Sequence, residues 1–148
     1  MPILFYSTRG EYGPFSNFSR HGVEMDGKWY RTTEHYFQSK KFDNPEYRER
    51  IRIAHTPKDA ARLGRSRKVP LRSDWEQVKD SIMFDAVLKK FETHDEIRDL
   101  LLSTGDEKII ENAPGDYYWG CGKDGSGKNK LGLILMEVRE QLRAGTIA

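Results

Sequence analysis

Between Thr32 and Phe42 the chain reads T-T-E-H-Y-F-Q-S-K-K-F. It places a carboxylate, a carboxamide and an amine, Glu34, Gln38 and Lys41, at spacings of four and three residues. On a helix turning about 100° per residue, Gln38 falls roughly 40° to one side of Glu34 and Lys41 roughly 20° to the other, so the three stack in one narrow stripe. A carboxyl group and an amine that meet one ligand are the residue types of proton transfer and nucleophilic attack. The same spacing also suits an ordinary wet helix face, with an acid in the first turn and a lysine at the end complementing the macrodipole. Phe37 and Phe42 flank the stripe, whereas Tyr36 and Lys40 fall on the opposite face. If the stripe is buried, desolvation raises the pKa of Glu34 and lowers that of Lys41, and their mutual attraction opposes both shifts. His35 lies beside the stripe and reads as a structural histidine.

Three other stretches hold chemically capable residues. W119-G-C-G-K-D-G-S-G-K-N-K-L-G132 formally contains G-x-G-x-x-G at Gly120, Gly122 and Gly125. No strand and no βαβ unit accompanies it, as a dinucleotide site requires. Gly122, Gly127 and Lys128 approach the phosphate-loop pattern, but Asn129 stands where that loop needs serine or threonine. The glycines therefore serve either close backbone approach to a ligand or positive φ angles in a tight loop. Just before them, G115-D-Y-Y-W-G120 sets Asp116 three residues from Trp119, as a turn former or as a carboxylate beside an aromatic platform. Four arginines and a lysine crowd Arg62–Arg72, as solvated surface or as a phosphate site. Arg9 with F15-S-N17 adds a further cation, ring and amide, and Trp75 fits either core or site.

These residues need elements to hold them. Residues 3–6, I-L-F-Y, suit a short buried strand, and V23-E-M-D-G-K-W-Y30 alternates about Asp26-Gly27 as a hairpin does. From Thr32 the signals turn helical. Asn44-Pro45 and Thr56-Pro57 each set a capping residue before proline, and S73-D-W-E76 and T93-H-D-E96 match the capping box. Apolar residues then recur at helical spacing after Ser73 and again over residues 131–142, while 112–130 reads as a structured loop. The expected fold is α+β: a mainly α-helical single domain over residues 1–148 with a small N-terminal β component.

Composition limits the partners. Charged residues make up 32% of the 148, with 25 basic against 23 acidic, so no basic nucleic-acid clamp is evident. One cysteine, Cys121, rules out an intrachain disulfide, and four scattered histidines offer no zinc-ligand spacing. No signal peptide and no run of the ~20 apolar residues of a membrane span is apparent. The expectation is a cytoplasmic protein with no membrane partner and no metal.

Taken together, F5-Y-S-T8, G13-P-F-S-N-F18, E34-H-Y-F-Q-S-K-K-F42, A60-A-R-L-G-R65, the Trp75 segment, Y118-W-G120 and G127-K-N-K-L-G-L-I-L-M-E-V-R139 resemble the NADAR, or YbiA-like, family over nearly the whole chain. The resemblance implies a cofactor-free N-glycosidase acting on ribosylaminopyrimidine 5′-phosphates of early riboflavin biosynthesis. In some relatives the substrate is ADP-ribosylated guanine in nucleic acid, and a non-catalytic ADP-ribose or nucleotide-binding module is the rival of another class. It further implies catalytic roles for Glu34, Lys41 and Asp116, with the Lys41 amine forming a Schiff base and Glu34 moving protons. Arg9, Phe15, Asn17, Arg65, Trp75, Trp119 and Asn129 are implied in substrate binding. One departure stands out: Cys121 occupies a position that is acidic in close relatives.

Overall fold

In the computed structural model, which describes residues 1–147, the chain forms two compact units. One runs from Arg20 to Lys90; the other combines Met1–Ser19 with the chain from Phe91 onward. The element order is β1 (Ile3–Phe5), a 3-10 turn (Gly13–Phe15), β2 (Val23–Met25), β3 (Lys28–Tyr30), α1 (Thr33–Ser39), α2 (Pro45–Arg52), α3 (Pro57–Arg65), α4 (Trp75–Thr93), α5 (Asp95–Ser103), β4 (Ile109–Glu111) and α6 (Lys130–Ile147). The fold is mixed α+β and mainly helical.

In the Arg20–Lys90 unit, β2 and β3 pair antiparallel with Val23 opposite Tyr30. Asp26 and Gly27 both adopt positive φ, 54° and 78°. Two such residues in succession give the turn twist that a two-residue hairpin needs. Three helices then start where a side chain can take up an orphan backbone N–H. Thr32 accepts from His35 N at 3.1 Å, Asn44 from Tyr47 N at 2.9 Å and Thr56 from Asp59 N at 3.1 Å. Proline occupies the first turn of α2 and of α3, where its missing donor costs nothing. Phe42, Ile51, Ala60 and Leu63 form the core between these helices, with Tyr47, Ala54, Val69 and Leu71 packed against it.

The other unit is built on a parallel pair. β1 pairs with β4, Ile3 opposite Ile109, and Asn112 N continues the ladder to Phe5 O at 2.7 Å. β4 is absent from the sequence-based expectation: at three residues it is too short to show alternation. Phe15 packs edge-on against Phe5 and Phe91, both at 5.9 Å between ring centroids. Buried Ile97, Leu101, Leu131, Leu135 and Val138 supply the helical faces. The capping box expected to start at Thr93 falls one residue out of register with the helix start. Thr93 ends α4, and α5 starts after His94, which makes no side-chain cap bond. Val87 and Phe91, both buried, carry the apolar face of α4 to its last turn.

Residues 112–129 form the expected loop, which satisfies itself. The N–H groups of Gly127, Lys128, Asn129, Lys130 and Leu131 all bond to carbonyls of residues 117–121 within it.

Candidate active site

The α1 stripe is buried. Every residue from Thr33 to Ser39 is inside, including Glu34 and Gln38. The Gln38 carboxamide donates from Nε2 to Glu34 Oε2 at 2.7 Å, an i to i+4 bond along the helix. Lys41 follows just past the helix end, its N–H bonded to Gln38 O and its carbonyl accepting from Arg72 N at 2.8 Å. Its Nζ stands 5.8 Å from the Phe37 ring centroid, and Phe37 in turn packs on Trp75 at 5.1 Å with the rings tilted by 58°. Trp75, at the first position of α4, is thus the floor beneath the ring that faces the amine.

This setting changes the amine. Burial pulls the Lys41 pKa down from its ordinary 10.5 to about 8. Glu34 opposes the shift, while the positive charges of Arg67, Arg65 and Lys79 add to it. Desolvation of the charged form outweighs the one nearby carboxylate. At pH 7.5 about a quarter of Lys41 is neutral, against roughly one part in a thousand for an exposed lysine.

The neighbours of the stripe are structural. His35 is fully buried between Thr32 Oγ1, 2.7 Å from Nδ1, and Ala54 O, 2.9 Å from Nε2. With Nε2 donating to the carbonyl and Nδ1 accepting from the threonine hydroxyl, a neutral ring meets both partners. Burial lowers its pKa in agreement. Tyr36 packs on Tyr30, and Lys40 pairs with Asp26 at 3.5 Å.

The arginine-rich segment divides. Arg65 and Arg67 are felt by Lys41. Arg72 grips the end of α1, donating to Lys40 O at 3.4 Å while paired with Asp74 at 2.7 Å. Arg62 instead lines a cavity of about 390 Å³ with Tyr47, Arg50, Leu63, Ser66, Lys68 and Val69.

The remaining candidates lie in the other unit. Asp116 Oδ1 accepts from Tyr118 N at 3.1 Å and Trp119 N at 2.8 Å, so this carboxylate shapes the turn that carries the aromatic pair. Trp119 is half-buried and meets Tyr118 edge-on at 4.9 Å. Asn129 is occupied at both ends of its amide: Oδ1 accepts from Glu111 N and Nδ2 donates to Ile109 O, each at 2.9 Å. It fastens β4 to the start of α6 from a left-handed backbone, φ 52°. The Phe15 ring is spent on packing, 1% exposed, while Asn17 is buried and Arg9 exposed. Cys121 is half-buried, its thiol 3.4 Å from Asn112 Oδ1. Among the described residues no group of three or more histidine, cysteine or acidic side chains is gathered to hold a metal ion, and no helix is long and apolar enough to cross a membrane.

The family profile of the NADAR domain matches residues 4–143. The chain belongs to the NADAR family. It is 52% identical over 140 residues to N-glycosidase YbiA of Escherichia coli strain K12, covering 95% of this chain and 88% of that protein. It is 49% identical to an N-glycosidase of Nostoc punctiforme, covering 97% and 94%. A riboflavin biosynthesis protein of Zea mays, PYRR, is 39% identical over 98% of this chain, which corresponds to 26% of that longer protein. The NMR structure of E. coli YbiA superimposes with a TM-score of 0.91 at 50% identity, covering 98% of this chain and 86% of that one.

Two residues at this corner carry no assigned role in the sequence. Gln38 stands in the stripe without an assigned function, and Gly64 stands among the arginines of residues 62–72 without one. The signal available for Gln38 was its spacing of four from Glu34.

Proposed function

We propose that this NADAR protein is an N-glycosidase that hydrolyses ribosylaminopyrimidine 5′-phosphates of riboflavin biosynthesis. The observation that carries the reading is a half-buried amine, Lys41, just past the end of the helix that buries the Glu34 carboxylate, with desolvation pulling its pKa down to about 8. The relatives, N-glycosidases and a riboflavin biosynthesis protein, support its substrate class.

The mechanism follows from the two groups. Once the ribosylamine ring opens, C1′ is an imine carbon, and the neutral Lys41 amine adds to it. The opened substrate reacts as its protonated iminium; addition turns the Lys41 nitrogen into an ammonium, Glu34 takes its proton and passes it to the departing nitrogen, the C1′–N bond to the pyrimidine breaks, and a protonated Schiff base on Lys41 is left. Water, deprotonated by Glu34, adds to C1′ and expels the lysine, giving ribose 5-phosphate. Net, one water is consumed and neither a metal nor a redox cofactor is needed. Arg65 is suited to the 5′-phosphate, and the same positive charge that would bind phosphate helps keep Lys41 neutral.

For Arg9, Asn17, Asp116, Trp119 and Asn129 the family resemblance supports a part in substrate binding or, for Asp116, in water activation. Substitution tests each. One family profile runs through both units, which supports reading residues 1–148 as one functional domain. A single unpaired cysteine fits a reducing cytoplasm.

Product analysis tests the proposal. Incubation with a ribosylaminopyrimidine 5′-phosphate releases the free pyrimidine and ribose 5-phosphate. Release of ADP-ribose from modified guanine, with the pyrimidine substrate untouched, would move the assignment to nucleic-acid repair. Tight binding of ADP-ribose with no product from either substrate would make the protein a binding module.

A further inference from the structure

Gln38 is 7% exposed, and its carboxamide is satisfied at one end only. Nε2 donates to Glu34, whereas the buried Oε1 has no hydrogen-bond partner. With Glu34 ionised, only the NH2 end of the amide can face it, which fixes the orientation and leaves the oxygen stranded.

What confines the oxygen is Gly64. A Cβ at that position would stand 1.9 Å from Gln38 Oε1, 2.7 Å from its Cδ and 3.2 Å from its Cβ. No positive φ demands glycine there, since Gly64 lies within α3 with ordinary helical geometry. Space alone requires it: α3 closes over the amide of α1 at the one residue that leaves room. Were Gln38 only filling core, leucine or methionine would fill it with no stranded oxygen. A buried acceptor left unmade is costly, and here it accompanies a bond that holds the Glu34 carboxylate.

We infer that Gln38 is a positioning residue for Glu34, and that Gly64 exists to lock it there. The amide holds the carboxylate in one rotamer and favours its ionised form, ready to accept a proton. The other charged groups around this corner are Lys41 beyond the end of α1, Arg65 from α3, Arg67 from the segment after it and Lys79 from α4. The kinetic consequence rests on the N-glycosidase reading, but the titration consequence does not.

The test is a carboxyl ¹³C NMR titration of Glu34 without substrate, the resonance assigned by its loss in Glu34→Gln. Wild type is compared with Gln38→Met and Gly64→Ala. Both variants raise the Glu34 midpoint by about half a pH unit or more, because each removes or displaces the donor. Gly64→Ala added to Gln38→Met shifts it no further. Gln38→Asn, one methylene too short to reach, carries the same expectation and covers the case in which the methionine variant does not fold. An unmoved midpoint in Gln38→Met and Gln38→Asn overturns the inference, as does a Gly64→Ala shift of equal size with and without the amide. In turnover, Gln38→Met lowers kcat about 10- to 100-fold with little change in KM. A wild-type protein that hydrolyses no ribosylamine would count against the proposed function and leave the titration result standing.

Discussion

The α1 stripe and the glycine-rich loop both look functional in sequence, and the structure separates them by how their polar groups are satisfied. At α1 and the turn that ends it, polar side chains are held away from their ordinary state: the half-buried Lys41 amine pulled down to about pKa 8, and the buried Gln38 amide oxygen with no partner. In the loop over residues 112–130, five consecutive N–H groups bond to the loop's own carbonyls, and Asp116 and Asn129 are engaged with the backbone. A phosphate cradle needs backbone N–H groups that point at the ligand. This loop has already used those of residues 127–131 on itself. The glycines permit a tight fold here, with Gly122 and Gly125 at positive φ of 74° and 83°. Groups held away from their ordinary state mark chemistry better than motif spelling does.

Substitutions sharpen the contrast. The largest effect is expected at Lys41. Lys41→Ala abolishes the covalent step and lowers kcat by about 10³-fold or more, measured by pyrimidine release. Glu34→Gln, which keeps the shape and removes the proton transfer, lowers kcat by about 10²- to 10⁴-fold.

The pH dependence separates the stripe from an exposed lysine. The kcat/KM of the wild type rises with a midpoint near 8, where Lys41 loses its proton, and not near 10.5. Stability moves the same way for this group. Below about pH 8 both folded and unfolded Lys41 carry the proton, and the cost of burying the ammonium is fully present. Between about 8 and 10.5 the unfolded chain binds the extra proton, so the Lys41 contribution to stability rises with pH. Denaturant midpoints of wild type and Lys41→Met across that range measure it: the gap between them narrows as pH rises.

At Asn129 in the loop a stability effect is expected in addition to the substrate contact proposed for it. Asn129→Ala strands Glu111 N–H and Ile109 C=O and costs about 1–3 kcal/mol, read from the urea midpoint. Smallest is Lys128→Ala. Its Nζ stands 5.4 Å over the Tyr118 ring, a contact worth under about 1 kcal/mol, and kcat/KM stays within about twofold. A large rise in KM for this variant would restore a phosphate role to the loop and break the comparison.

Much of this was legible in the sequence because the signals were local. Thr32, Asn44 and Thr56 cap their helices through their own side chains, and Asp26-Gly27 turns the hairpin, all within four residues of the effect. Helical geometry alone paired Glu34 with Gln38; Lys41, expected on the same helix, instead lies in the turn past its end. What the sequence withheld depends on distant partners. β4 exists because β1 offers it a parallel ladder from about a hundred positions away. The closure of Gly64 over Gln38 joins two helices, and no spacing within either reveals it. The burial that decides the Lys41 shift, left open between desolvation and the pull of Glu34, required the packing of Phe37 and Trp75 to resolve.

The most direct test of the Lys41 amine as nucleophile is borohydride trapping during turnover, followed by peptide mapping. A reduced ribose 5-phosphate adduct is expected on Lys41 and on no other lysine. Continued hydrolysis with no adduct on Lys41 would contradict it.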